Sequence, residues 1–111
     1  MAILKTIPVE KIINGIRVKT SESAIISELD YTTNGEYAIV IRGVKSCDLL
    51  LDSRTTDRIK IKAMTNVLVT PDFGKIDEEW DEIALDKGAC IELVFINRNW
   101  YILSSDGLKI W

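Results

Sequence analysis

Between Gly88 and Gly107 the chain reads GACIELVFINRNWYILSSDG. Over residues 89–96 the side chains alternate. Ala89, Ile91, Leu93 and Phe95 share one face, and Cys90, Glu92, Val94 and Ile96 the other. A period of two with one wholly apolar face predicts a strand with its odd positions in the core. Asn97-Arg98-Asn99 is a short polar break, residues 100–103 are a second apolar run, and Ser104-Ser105-Asp106-Gly107 has the residue types of a turn. Two strands joined by three polar residues predict an antiparallel hairpin.

The same pattern recurs upstream. Residues 37–42 (YAIVIR) predict a strand. Residues 47–52 (CDLLLD) predict another, with Leu49 and Leu51 on one face and Leu50 on the other. Residues 58–62 (RIKIK) alternate cleanly, with Ile59 and Ile61 inward and Arg58, Lys60 and Lys62 outward. Residues 66–70 (NVLVT) predict a strand stopped by Pro71-Asp72, and Asp86-Lys87-Gly88 a turn into the last hairpin. Residues 24–29 (AIISEL) are too short to choose between a strand and one helical turn. Asn14-Gly15, flanked by Ile13 and Ile16, is the strongest short hairpin signal, because a type I′ turn needs positive φ at both central positions. No segment of ten residues sustains a 3.6 period; the nearest, residues 76–85, makes a helix the weaker reading there. Eight or so short strands between turn signals predict an all-β protein, a small β-sandwich or barrel of short antiparallel strands with an extended or hairpin N-terminal segment. Exposed strand edges then need covering, and oligomerisation is one way to do it.

Gly88 opening a strand, the apolar strand itself, a polar turn, Asn99-Trp100-Tyr101, an apolar pair and Ser105-Asp106-Gly107 together resemble the C-terminal hairpin of small β-rich modules of tailed bacteriophages. Such modules occur in head fibres, capsid decoration proteins and tail fibres, usually as trimers. DRIKIKAMTNVLVTP (57–71) and KIDEEWDEIAL (75–85) resemble the same modules' middle strands. The resemblance covers residues 37–109 and leaves the first 30 or so outside it. It implies a trimeric head fibre or capsid decoration protein on the virion surface, made in the host cytoplasm, with other capsid or fibre components as partners. Residues 1–30 would be an N-terminal anchor and residues 31–111 a β-sandwich trimerisation module. The alternative within this class is a tail-fibre or baseplate module that recognises a host surface glycan. A free-standing carbohydrate-binding domain of a cell is a reading from a different class.

Composition agrees with a wall more than with a catalyst. The 111 residues suit one domain, and 47% hydrophobic content fills a core with apolar surface to spare. The net charge of −3 argues against a general nucleic-acid binder. No apolar run approaches the ~20 residues of a membrane span, and the N-terminus lacks the apolar core of a signal peptide. Cys47 and Cys90 both lie in apolar strands; a disulfide is the second reading, and buried free thiols are expected for a chain without an export signal.

There is no histidine, no metal-ligand cysteine spacing and no phosphate loop, so neither an enzyme nor a cofactor is expected. Asp77, Glu78, Glu79, Asp81 and Glu82 form the densest charge run. It matches no calcium-loop pattern and reads as a solvated face or one side of an ion-pair network with Arg54, Arg58, Lys60 and Lys62. The tryptophans and tyrosines could stack on sugar, but Trp100, mid-strand, reads as packing. Trp80, Tyr101 and the terminal Trp111 read as subunit-packing residues. Ile3, Leu4, Ile7, Ile12, Ile13 and Ile16 are many branched residues for a terminus; they either complete the domain's own sheet or are the candidate attachment residues that dock the module or intertwine subunits.

Overall fold

The computed structural model describes the backbone of residues 4–6, 11–13, 16–18 and 22–110, and side chains over residues 23–107. The described residues form strands and turns only. The strands are β1 (Leu4–Thr6), β2 (Lys11–Ile13), β3 (Ile16–Val18), β4 (Glu22–Ile26), β5 (Asp30–Thr32), β6 (Glu36–Ile41), β7 (Ser46–Leu51), β8 (Arg58–Ala63), β9 (Asn66–Pro71), β10 (Ile83–Ile96) and β11 (Asn99–Ile110). Among the described residues β2 and β3 pair with each other alone, with Ile13 opposite Ile16, as a two-residue Asn14-Gly15 connection requires; the connection itself lies outside the described residues. The other nine strands form one sheet in the order β1-β4-β6-β8-β10-β9-β7-β5, with β11 on the outside of β10. The sheet rolls up into a nearly closed barrel, so the all-β expectation holds.

The direction of the ladders departs from the sequence reading. β4-β6, β6-β8, β5-β7 and β7-β9 are parallel. The chain winds in three rungs, β4 with β5, β6 with β7, and β8 with β9. The first strand of each rung stacks on one flank of the barrel and the second on the other. Branched residues therefore align in columns. Ala24, Ile39, Ile61 and Ile91 are in register on the first flank, and Leu49, Val69 and Ile83 on the second. All seven are buried and meet in one core with Ile26, Ile41, Leu51, Ile59, Leu85 and Leu93. Each fully buried branched side chain contributes roughly 1.5–3 kcal/mol relative to exposure.

β10 then reverses the winding. Its first part runs antiparallel to β9 and its second part antiparallel to β8. β11 follows it back, antiparallel throughout. Asp86-Lys87-Gly88 and Ser104-Ser105-Asp106-Gly107 are consequently not turns. Both lie inside long strands, at or beside the bend where the hairpin passes from one flank to the other. Gly88 (φ 97°) and Gly107 (φ 75°) supply the left-handed backbone that the bend needs. The connection of the hairpin is two residues, not three. Asn97 (φ 49°) and Arg98 (φ 71°) form it, with Ile96 opposite Asn99, the positive-φ pair of a type I′ turn.

Candidate functional site

The terminal hairpin is held from below by the loop that precedes it. After β9 the chain passes Gly74 and folds under β11. Trp100 N donates to Lys75 O (2.9 Å), Asp77 N donates to Trp100 O (2.8 Å), and Ile102 N donates to Asp77 Oδ1 (2.9 Å). Residues 75–77 thus occupy the outer edge of β11 over Trp100 and Ile102. Asp77 (φ 52°) and Glu78 (φ 62°) adopt the left-handed region that the reversal demands. Ile76 and Trp100 are fully buried, and Phe95 stacks obliquely on Trp100 at 5.3 Å between ring centres. Among the described residues the Trp100 indole N–H has no acceptor.

This loop contains the acidic run, and three of its five carboxylates serve local partners. Asp77 caps the strand edge, Glu78 accepts a hydrogen bond from the Tyr101 hydroxyl (2.8 Å), and Asp81 pairs with Lys75 (2.6 Å). The Glu78 bond, with some burial, raises the Tyr101 hydroxyl above its ordinary pKa. Among the described residues no ion pair joins the acidic run to Arg54, Arg58, Lys60 or Lys62, so of the two expectations the network is not seen. Arg54 pairs with Asp52 (3.1 Å), holding that carboxyl below its ordinary range, and Arg58 approaches Glu92 (3.8 Å). Among the described residues no three acidic or thiol groups gather as a metal site would need.

Sequence reasoning missed a polar column at the corner that follows each second-flank strand. Asp52 N donates to Thr33 Oγ1 (2.8 Å), Gly35 N to Thr56 Oγ1 (2.8 Å), and Ser53 N to Asp72 Oδ2 (3.1 Å). Glu36 is fully buried there. It accepts from Asn34 N (2.6 Å) and from the Tyr31 hydroxyl. The column ties rung to rung with satisfied polar groups, as buried polar groups require. Polar residues in three unequal loops carry no periodic signal that reveals it.

Of the expected interface residues, Trp80 is half-buried against the core and bonds to Ile76 through its backbone, and Tyr101 is half-buried on β11. Leu4 lies in β1, paired with Ile25 of β4, and Ile12, Ile13 and Ile16 lie in the β2-β3 hairpin. Ile3, Ile7 and Trp111 lie outside the described residues. Cys47 is buried and free, as expected; Cys90 is free but exposed, because its position faces outward from β10.

The outer surface carries two unlike flanks. On the first, Ala38, Lys60 and Glu92 are in register, as are Val40, Lys62 and Cys90. On the second, Asp30, Asp48, Leu68 and Ala84 are in register. Beyond Ile102, β11 is an edge strand in the sheet order, and Leu103, displaced by a bulge between the Leu93 and Glu92 pairings, is half-exposed. Comparison with models of protein families, with curated proteins and with solved structures gave no match.

Proposed function

We propose that this chain is a structural protein of a bacteriophage particle, a trimeric head fibre or capsid decoration protein. The observation that carries the reading is β11. It is a twelve-residue strand at the edge of the sheet, blocked at its start by residues 75–77 and along the rest by none of the described residues, with Leu103 and the turn-flanking Ile96 half-exposed beside it. A long edge of this kind invites a further strand or a neighbouring subunit. The resemblance of residues 37–109 to trimeric phage modules supports the same reading. So does the architecture, in which every rung is fixed to its neighbours and the interior is filled with branched side chains. In this reading the N-terminal segment attaches the module to the particle.

The test is association of the purified chain followed by sedimentation equilibrium, with Leu103→Asp as the comparison. The wild-type chain is expected as a trimer and the variant as a weaker assembly. A wild-type chain that stays single at micromolar concentration refutes the proposal.

A further inference from the structure

We infer that copies of this chain pack flank to flank, the basic outer flank of one against the acidic outer flank of the next. The inference rests on the assembly reading above and adds, beside the β11 edge, the two surfaces that meet. The groove on the first flank has Ala38 and Val40 for a floor and Lys60 and Lys62 on its rim, with Glu92 as its single carboxylate. The groove on the second flank has Leu68 and Ala84 for a floor and Asp48 and Glu82 on its rim, with no cation among the described residues that line it.

Two features make the second flank a surface awaiting a cationic partner. Asp30 and Asp48 stand in register on adjacent strands, an arrangement that costs stability through like-charge repulsion. Among the described residues neither Asp48 nor Glu82 has an ion-pair partner. Lysine side chains are the natural complement, because their alkyl stems lie along apolar floor while the ammonium reaches the carboxylates. The first flank presents Lys60 and Lys62 two positions apart on one strand, both pointing outward. Lys62 also donates to Gly88 O (2.9 Å), which holds its head near the rim. Because the two surfaces differ, the contact is heterologous, the kind that closes into a ring when its rotation allows. Charge complementarity of this sort fixes partner and orientation.

Sedimentation of the full chain tests this with two charge-reversed variants, Lys60→Glu/Lys62→Glu and Asp48→Lys/Glu82→Lys. Each alone is expected to sediment as a single chain. All four substitutions in one chain are expected to restore the assembly, since acid again meets base. Single-flank variants that keep the wild-type mass overturn the inference, as does a cooperatively unfolding four-fold variant that stays single. Where a reversed chain does not unfold cooperatively, Lys60→Gln/Lys62→Gln and Asp48→Asn/Glu82→Gln take its place. Each is then expected to weaken association about tenfold or more, and unchanged association overturns the inference. If Leu103→Asp dissolves the assembly and the charge variants do not, the flank contact falls while the assembly reading stands. If the wild-type chain is itself single, both fall.

Discussion

A Cβ on Gly74 would lie 1.8 Å from the carbonyl oxygen of Arg98. The loop beneath the hairpin and the turn at its tip are therefore in backbone contact, and only glycine allows it. Gly74 also has φ 72°, which a side chain disfavours.

Gly74→Ala is accordingly expected to separate the loop from the hairpin and to destabilise the fold by about 3 kcal/mol or more, among the severe effects of backbone strain and overpacking. Gly88→Ala is the control. Its φ is 97° but a Cβ there meets nothing within 4 Å, so a loss of about 1 kcal/mol is expected from backbone strain alone. Denaturant unfolding of the two variants measures the difference.

Asp77 protects the start of β11 by accepting the Ile102 N–H. Asp77→Ala removes that acceptor and should cost about 1–2 kcal/mol, while Asp77→Asn keeps both an acceptor and tolerance of positive φ. Hydrogen exchange reads this at one site. The Ile102 amide is expected to exchange faster in Asp77→Ala and near the wild-type rate in Asp77→Asn.

Trp100 is fully buried with its indole N–H unpartnered among the described residues. Trp100→Phe therefore loses packing but no hydrogen bond. Its cost is expected to fall well below the roughly 3–5 kcal/mol of emptying such a site to alanine. Unfolding of Trp100→Phe beside Trp100→Ala checks it.

The Cys47 thiol is pushed up from 9.0 to about 11, first by burial and then by Asp48, Asp30 and Glu28. At pH 8 the native chain should offer one reactive thiol, Cys90, and two only after denaturation. The linkage has a definite sign. The folded state holds the Cys47 proton to higher pH than the unfolded state does, so this contribution is intact below about 9 and is lost as pH rises through about 11. Thiol titration and unfolding between pH 8 and 11 test both statements.

Alternation made the strands legible. The odd positions of residues 89–93, Ile59 with Ile61, and Leu49 with Leu51 all point into the core, as the period of two requires. Two kinds of information were hidden. Parallel stacking left no repeat to see, because Ala24 aligns with Ile39, fifteen positions on, whereas Ile39 aligns with Ile61, twenty-two on. Glycine next to polar residues signals left-handed backbone without saying whether the chain reverses or only bends, so Gly88 and Gly107 read as turn ends and proved to be strand bends. The edge-capping role of Asp77 was equally hidden, since an acidic run looks the same whether its carboxylates face water or a strand.

The central claim, that this wall is built to be shared among copies, is tested most directly by the mass of the purified chain at sedimentation equilibrium. The expected result at micromolar concentration is a species three times the 12.5 kDa of one chain. A species at the mass of one chain contradicts it.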